Sequence, residues 1–328
     1  MPANLTAQYH KAEAEYRRAV TAEEQLQWLQ EMLREMPKHK GTDKLQSDLK
    51  QKISKLKKEA TAPGKSGRRG SGLRIPRQGA GTVVILGGVN AGKSQMLATF
   101  TRAKPEIAPY PFTTREPLPG MMPWQDTQVQ LIDTPPITAG HIEPYLTSMI
   151  RAADLVLLCM DGSSDDAPDE TAEVIAQLQA RKTLLANETG FDEDDFSFLR
   201  VKTLLATTRG DDPGCSSRLE YFHEMITLAL GTHCVEFDSL ESQEQLRKRI
   251  YEFLDVIRVY TKRRRKPADL ADPFTIARGG TVEDLALKVH RELAESMKFA
   301  KVWGTIAHDG QIVGRDHPLC DQDVVELH

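Results

Sequence analysis

The spacing of hydrophobic residues divides the chain into a helical beginning, an α/β centre and a short mixed end. Over the first part of the chain, apolar positions recur every three or four residues, which predicts amphipathic helices. Thr21-Ala-Glu-Glu24 forms a capping box, Pro37 ends the helix that it begins, and Leu45–Leu56 marks one face of another helix. We therefore predict a hairpin of two antiparallel helices over residues 1–62, with its lysines turned to solvent.

Short apolar runs in the centre of the chain predict buried β-strands. Helical patterns at 169–181 and 217–230 separate the later strands, as βα units require, and a long amphipathic helix at about 242–259 closes the region. The strands are Thr82–Leu86, Gln128–Ile132, Leu155–Met160 and Val201–Thr207. This pattern predicts an α/β domain over residues 81–268, with a mostly parallel sheet and helices on both of its faces.

Two further segments flank this domain. Residues 63–80 are rich in Gly, Ser, Arg and Pro, which predicts a flexible basic linker. Residues 269–328 contain a weak strand at 274–277, a turn and helix from 279 to about 297, and short strands near 299–303 and 324–327. A small α+β domain is expected there.

The composition narrows the class of protein. With 40% hydrophobic and 27% charged residues in a chain of 328, the sequence is that of an ordinary globular protein. No apolar run approaches the ~18 residues of a membrane span, and the start has no signal-peptide pattern. The four cysteines are far apart, which argues against a disulfide framework. We therefore expect a cytoplasmic protein with no membrane partner.

The formal net charge of -4 conceals a strongly basic segment. Between Lys38 and Arg77, thirteen lysines and arginines accompany only three acidic residues. Such a segment is typical of an arm that binds a polyanion, but solvated helix faces have the same composition. The run Lys262–Lys266 has the same two interpretations, and both remain open from the charges alone.

The clearest chemical signal is Gly87-Gly-Val-Asn-Ala-Gly92-Lys93-Ser94, which follows an apolar strand and precedes a helical stretch. In this setting, successive backbone N–H groups and the helix N-terminus hold phosphates. Lys93 is expected to reach the β- and γ-phosphates, and the Ser94 hydroxyl to bind Mg²⁺. Asp133 ends the next predicted strand, which would place a carboxylate near the same Mg²⁺.

A threonine pair lies in a proline-rich segment between these motifs. Thr113 and Thr114 follow Tyr110-Pro-Phe, and a threonine in a mobile loop can close over the metal and the γ-phosphate. We predict that Thr114 joins Ser94 and Asp133 around Mg²⁺. A plain surface threonine pair is the alternative.

Together these motifs resemble those of the Obg-type GTPases, because Gly-x-x-Asn-x-Gly-Lys-Ser, Tyr-Pro-Phe-Thr-Thr and Asp-x-Pro occur in this order. The C-terminal third is similar to the developmentally regulated GTP-binding (DRG) subfamily at 254–262, 281–284, 299–304 and 313–317. The resemblance covers nearly the whole chain. It implies a P-loop G domain followed by a TGS domain, which is a ubiquitin-like β-grasp module.

The same resemblance implies ligands and partners. GTP or GDP and Mg²⁺ would be bound, hydrolysis would be slow, and the ribosome or structured RNA would be the partner. The basic hairpin and the TGS domain would make that contact. Some relatives have a separate protein binding factor as well.

The resemblance also assigns base-binding residues. The family's [Asn/Thr]-Lys-x-Asp motif corresponds to Thr208-Arg209-Gly-Asp211, with Arg in place of Lys. Asp211 would accept the guanine N1 and N2 hydrogens, a pair that adenine does not offer, and Arg209 could stack on the base. Asp212 is a competing alignment. The predicted nucleotide-binding residues are Gly87, Gly88, Val89, Asn90, Ala91, Gly92, Lys93, Ser94, Gln95, Thr208, Arg209, Asp211, Ser239 and Leu240.

Two positions that concern hydrolysis depart from patterns found in GTPases. Pro136 stands where relatives have a glycine whose N–H contacts the γ-phosphate, and proline has no N–H. We therefore predict that GTP and GDP are distinguished less sharply than in relatives. Ile137 follows, where some GTPases place a water-orienting glutamine. By resemblance to potassium-stimulated GTPases, Asn90 would help to hold K⁺ and would act in catalysis with Lys93 and Thr114; a loop-bracing asparagine is the alternative.

Three functions from different classes fit these observations. We favour a slow GTPase that acts as a switch linked to translation. A guanine-nucleotide-binding adaptor with little hydrolysis is the second, and an RNA-binding scaffold with a structural nucleotide is the third. If the protein bound adenine instead of guanine, it would be an ATPase, and its nucleotide binding would not depend on Asp211.

Overall fold

The computed structural model describes residues 5–19, 21–37, 42–61, 75–104, 116–138, 142–192, 195–264, 266–305 and 308–328. Most of the predicted linker and the whole Tyr110–Thr114 segment lie outside these residues, and the expectations made for them are not tested by the structure. No helix in the described part of the chain is long and apolar enough to span a membrane.

The N-terminal region contains three helices, α1 (Ala7–Arg18), α2 (Ala22–Glu35) and α3 (Asp43–Thr61). The prediction of a two-helix hairpin was therefore wrong in missing α1. That helix buries Tyr9, Ala12 and Glu13, which do not form an apolar stripe that periodicity could detect. The capping box of Thr21 and Glu24 at the start of α2 is confirmed.

The helices pack on the α/β domain as well as on each other. Their core joins Leu29, Met32 and Leu49 to Phe191 and Phe196 from the central domain. The prediction that the lysines face solvent was wrong for Lys52, because its Nζ lies 4.0 Å from the centre of the Phe191 ring and donates to the Phe196 carbonyl oxygen at 3.3 Å. Five other lysines of α3 are exposed: Lys44, Lys50, Lys55, Lys57 and Lys58.

The central domain is built on an eight-stranded sheet whose main path runs in the order β2-β3-β1-β4-β7-β5, with β6 and β8 also paired to β7. Its strands are β1 (Thr82–Gly87), β2 (Leu118–Trp124), β3 (Thr127–Asp133), β4 (Leu155–Asp161), β5 (Thr183–Ala186), β6 (Gly190–Phe191), β7 (Leu199–Thr208) and β8 (Gly231–Val235). Its helices are α4 (Lys93–Phe100), α5 (Pro144–Ala152), α6 (Ala167–Ala180), α7 (Cys215–Met225) and α8 (Leu240–Leu254). The four predicted strands are all present.

This sheet is mostly parallel and is covered on both faces. β1 pairs in parallel with β3 and β4, and β7 pairs in parallel with β4, β5 and β8. Two separate apolar clusters fill the two sides, one around Leu86, Leu158 and Leu205 and the other around Ile85 and Leu157. Alternate residues of the same strands pack into the two clusters on opposite faces of the sheet, which explains why these strands have continuous apolar sequences.

A second, five-stranded sheet follows in the order β10-β9-β13-β11-β12. Its elements are β9 (Val256–Lys262), β10 (Ala268–Ala277), α9 (Val282–Val289), α10 (Arg291–Ser296), β11 (Ala300–Trp303), β12 (Gln311–Val313) and β13 (Asp323–Leu327). The predicted helix at 242–259 was too long, because Asp255 adopts a left-handed conformation at the C-terminus of α8 and β9 begins at the next residue. The predicted boundary between residues 268 and 269 consequently falls inside the second sheet, at the start of β10.

Candidate nucleotide-binding site

Five parallel strands bring their carboxyl ends to one edge of the central sheet. These ends are Gly87 of β1, Asp133 of β3, Asp161 of β4, Thr208 of β7 and Val235 of β8. In open α/β sheets, ligands bind in the crevice outside this edge. The topology therefore collects residues from five distant parts of the sequence into one candidate site.

The loop from Gly87 to Gly92 follows β1 and leads into α4. Its shape depends on left-handed backbone positions, with φ of +83° at Gly92 and +58° at Asn90. A Cβ atom at Gly92 would lie 3.0 Å from the Thr208 side chain, so the loop and the end of β7 are in close contact. The Thr208 hydroxyl donates toward the Ala91 carbonyl oxygen at 3.2 Å, which fixes the loop against the sheet.

Lys93 occupies the first residue of α4 and is buried, with 6% of its surface exposed. Its ammonium group donates to the Gly88 carbonyl oxygen and thus lies within the span of the loop. Burial lowers the pKa of Lys93, while the nearby Cys159 and Asp133 act in the opposite direction. A buried ammonium at the N-terminus of a helix suits a phosphate, because an anion bound there would offset the cost of burying the positive charge.

Ser94 and Asp133 meet beside this lysine. The Ser94 hydroxyl donates to Asp133 Oδ2 at 2.6 Å, although the two residues are separated by 39 positions. Asp133 is completely buried at the end of β3. One hydroxyl and one carboxylate at the phosphate loop fit Mg²⁺, which binds few protein oxygens and completes its shell with water and phosphate. Thr114, the third predicted ligand, lies outside the described residues.

The base end of the site is formed by the loops after β7 and β8. The Gly210 N–H donates to the Val235 carbonyl oxygen at 2.9 Å and so joins the two loops. Asp211 is exposed beside this bond. Asp212 instead accepts hydrogen bonds from Arg218 at 2.7 Å and from the Gly214 N–H at 2.8 Å, and these bonds lower its pKa.

This arrangement separates the two candidate aspartates. Asp212 has a local structural role at the start of α7, whereas the Asp211 carboxylate is available at the mouth of the site. The geometry therefore favours Asp211 for the guanine contact. Ser239 caps α8 through the Ser242 N–H, and Leu240 is 80% exposed, so the last base motif lies at a helix start.

Comparison with known proteins agrees with this geometry. Residues 82–188 match the family described as 50S ribosome-binding GTPase, and residues 257–328 match the TGS domain. The chain combines a GTPase domain of this description with a TGS domain. The TGS match begins at β9, in agreement with the second sheet and not with the predicted boundary at 269.

Curated relatives share this organisation over most of their length. GTP-binding protein 1 of Schizosaccharomyces pombe is 27% identical, over 93% of this chain and 98% of its own. Developmentally-regulated G-protein 2 of Arabidopsis thaliana is 29% identical, over 88% of this chain and 87% of its own. The solved YchF GTPase of S. pombe superposes with a TM-score of 0.54 at 10% identity, covering 77% of this chain and 99% of that structure, which supports the fold.

Arg209 stands at the motif position where the sequence resemblance leads us to expect a lysine. Its guanidinium forms a salt bridge with Asp161 and approaches the Asn90 carbonyl oxygen at 3.4 Å. Arg209 thus connects the end of β4 to the phosphate loop. These contacts direct the Arg209 side chain toward the phosphate loop. Its stacking on the base stays a prediction.

Pro136 and Ile137 follow Asp133 at the sheet edge. The Ile137 N–H donates to the Gly87 carbonyl oxygen at 3.3 Å, and its side chain is buried in the core. The nearest main-chain donor after Pro136 is therefore bonded to the phosphate loop itself. Ile137 contributes to packing, which accounts for a hydrophobic residue at this position.

Sequence reasoning missed two acidic residues near the loop. Asp161 anchors Arg209, and its position at the end of an apolar strand was the available signal. Glu170 on α6 comes within 3.2 Å of the point where a Gly88 Cβ would be, so a side chain at Gly88 would crowd it. Burial and the neighbouring Asp166 and Asp161 raise the pKa of Glu170. Its helical position gave no sequence signal for this contact.

Proposed function

We propose that this protein is a slow, Mg²⁺-dependent GTPase that works as an RNA- or ribosome-associated switch. The observation that carries the proposal is the pairing of Ser94 with Asp133 at 2.6 Å beside the buried Lys93, at the end of the sheet that also presents Asp211. A phosphate, a metal and a guanine would each find a suitable partner along this edge. GTP bound with Mg²⁺ provides all three of these groups in one ligand.

In this proposal, each part of the site binds a different part of the ligand. The backbone of Gly87–Gly92 and the N-terminus of α4 would hold the β- and γ-phosphates, and Lys93 would neutralise part of their charge. Ser94 and Asp133 would hold Mg²⁺, which supplies further charge neutralisation when bound, and Thr114 would complete the shell. Asp211 would select guanine. Asn90, which is exposed at the tip of the loop, would hold K⁺ and thereby raise turnover.

Binding to RNA is supported by the charge distribution of the described surface. Five lysines of α3 are exposed, whereas Arg18 of α1 and Arg77 pair with Asp154 of the G domain. Arg18 thus attaches α1 to the G domain, and the exposed lysines of α3 carry positive charge at the surface. Phosphate contacts of this kind weaken steeply with salt. The match to a 50S ribosome-binding family supports the same partner class.

The RNA contact can be tested with a charge reversal. A Lys50→Glu/Lys55→Glu double variant should weaken binding to structured ribosomal RNA and flatten its dependence on KCl, as measured by fluorescence anisotropy. Lys248→Glu on α8 is the matched control, since Lys248 is exposed but lies 4.0 Å from Glu252 in a local pair. Equal binding by both variants and the wild type would exclude α3 as the contact.

A guanine-nucleotide-binding adaptor is the second candidate, and Pro136 favours it. Because Pro136 has no N–H and the Ile137 N–H is bonded to Gly87, the γ-phosphate has one fewer main-chain donor than in relatives. Such a protein would bind GTP and GDP with similar affinity and hydrolyse slowly or not at all.

Multiple-turnover phosphate release separates the two candidates. We expect GTP turnover that is faster in KCl than in NaCl and absent in Lys93→Ala. Turnover that is indifferent to the cation would remove the role of Asn90 with K⁺. Guanine-nucleotide binding without turnover above the Lys93→Ala blank would contradict the GTPase and support the adaptor.

A further inference from the structure

The strands β2 and β3 form an antiparallel hairpin that reaches from the metal site to the TGS domain. The register is continuous over seven pairs, from Trp124 opposite Thr127 to Leu118 opposite Asp133. At ~3.4 Å per residue, the two ends are about 20 Å apart. Asp133, at one end, is the metal-site carboxylate, and the tight turn at the other end consists of Gln125 and Asp126.

The turn of this hairpin is held by the TGS domain. Arg258 Nη1 donates to Asp126 Oδ1 at 2.9 Å and to the Gln125 side chain, and the Tyr260 hydroxyl donates to Asp126 Oδ2. Arg258 and Tyr260 are alternate residues of β9, so both extend from the same face of that strand. The Asp126 carboxylate consequently receives one donor on each oxygen.

The arginine at the centre of this contact is itself fixed on its other side. Asp321, just before β13, accepts from Arg258 Nε at 3.2 Å and from Nη2 at 2.7 Å. Only 8% of the Arg258 side chain is exposed. Burial tends to raise the pKa of Asp126, but the bonds from Tyr260 and Arg258 outweigh it and leave that pKa lowered. A partly buried, charge-assisted network of this kind is stronger than an exposed ion pair.

The hairpin transmits this attachment to the catalytic end because it is packed along its length. Trp124 packs against Tyr251 of α8 with ring centres 5.9 Å apart, and Met122 and Val129 are completely buried in the G-domain core. Leu118, where β2 begins, is in register with Asp133 and follows the predicted metal-binding threonine by four residues. The start of β2, which follows the Tyr110–Thr114 segment in the chain, and Asp133 thus lie at the same end of one hairpin.

We propose that Asp126, Arg258 and Tyr260 are positioning residues for the GTPase site, through which the TGS domain sets the placement of Asp133 and the adjoining segment. The proposal rests on the proposed GTPase function. Since coupling between two sites is reciprocal, nucleotide bound at Ser94 and Asp133 should also alter the TGS contact. A partner that binds the TGS domain would then change nucleotide affinity or turnover.

The test uses the full-length protein with Asp126→Ala, Asp126→Glu and Tyr260→Phe. We expect Asp126→Ala to lower kcat and to raise the Mg²⁺ concentration needed for half-maximal turnover by about fivefold or more, with little change in KM for GTP. Tyr260→Phe should have a smaller effect in the same direction. Asp126→Glu should restore part of the loss, because a longer carboxylate still offers two acceptors.

Arg278→Ala is the matched control. Arg278 pairs with Asp255 at 2.8 Å across the same domain boundary, but both side chains are exposed and neither contacts the hairpin. Wild-type kcat and Mg²⁺ dependence in folded Asp126→Ala would overturn the proposal, as would equal losses in Arg278→Ala. A wild-type protein that binds no guanine nucleotide would instead refute the proposed function. Thermal unfolding of each variant shows whether a loss reflects the link or the fold.

Discussion

The phosphate end and the base end of the site lie on the same sheet edge but are held in different ways. At the phosphate end, Lys93 and Asp133 are buried, and Ser94, Gly92 and Thr208 are joined by direct contacts to neighbouring strands. At the base end, Asp211 and Leu240 are exposed, and a main-chain bond from the Gly210 N–H to the Val235 carbonyl oxygen joins the loops after β7 and β8.

This difference in burial indicates how well each end of the site tolerates amino-acid substitutions. Buried groups that are hydrogen-bonded to each other tolerate few substitutions, because removing one leaves its neighbour without a hydrogen-bond partner in a region of low dielectric. Exposed loop residues can be replaced with smaller structural cost. Arg209 and Pro136, the two residues that depart from the motifs quoted above, are half-buried, whereas Lys93 and Asp133, which agree with those motifs, are buried.

The largest effect is expected from Lys93→Ala. Removing a buried ammonium from the predicted phosphate site should cost about 4 kcal/mol and weaken GTP and GDP binding by roughly 1000-fold. Equilibrium titration with a fluorescent guanine nucleotide measures the loss. Lys248→Ala, which removes an exposed lysine from α8, should bind as the wild type does. Similar affinities for the two variants would refute the phosphate-loop assignment.

Substitution of the two adjacent aspartates tests the base end. Asp211→Asn should weaken GTP by about 100-fold, because two bonds to a charged acceptor are each worth about 1.5–3 kcal/mol. The same variant should gain affinity for xanthosine triphosphate, whose carbonyl at the purine 2-position can accept from the new amide. Asp212→Asn should keep GTP affinity and lose some thermal stability. The reverse outcome would move the guanine contact to Asp212.

The Pro136→Gly variant tests whether the missing N–H limits discrimination between GTP and GDP. The variant regains a main-chain donor, and a hydrogen bond to a charged group of about 1.5 kcal/mol would increase the preference for a GTP analogue over GDP by roughly tenfold. The ratio of the two dissociation constants is the measurement. A ratio unchanged from the wild type would show that Pro136 does not determine discrimination.

The smallest effect is expected from Arg209→Lys. The Arg209 side chain is 38% exposed, so its pair with Asp161 contributes at most about 1 kcal/mol, and GTP affinity should fall less than about fivefold. Asp161→Asn should have a similar effect, and the two should not add. A much larger loss in Arg209→Lys alone would indicate that the guanidinium contacts the base directly, as stacking would require.

The comparison also explains what could be predicted from the sequence. The phosphate loop, Ser94 and Asp133 were predictable because a local motif and two apolar strands determine where they lie. The contacts of Arg209 with Asp161, of Lys52 with Phe191 and of Arg258 with Asp126 were not. Each joins residues more than forty positions apart whose side chains carry no periodic signal, so only the packed sheet brings them together.

The helix α1 and the strand β9 illustrate the same limit in secondary structure. The stripe of α1 contains tyrosine, alanine and a buried glutamate, and β9 continues the apolar pattern of α8 after a single left-handed residue, Asp255. Local periodicity cannot detect either feature. Tertiary pairing of β9 with β13 decides the second of them.

The most direct test of the account is calorimetric titration of the wild-type protein with GDP and with ADP, each in the presence of Mg²⁺ at fixed salt. We predict that GDP binds at least about 100-fold more tightly than ADP, because the Asp211 carboxylate would accept two hydrogens that adenine does not offer. Equal affinities would contradict the guanine assignment, and absence of binding by either nucleotide would contradict the site.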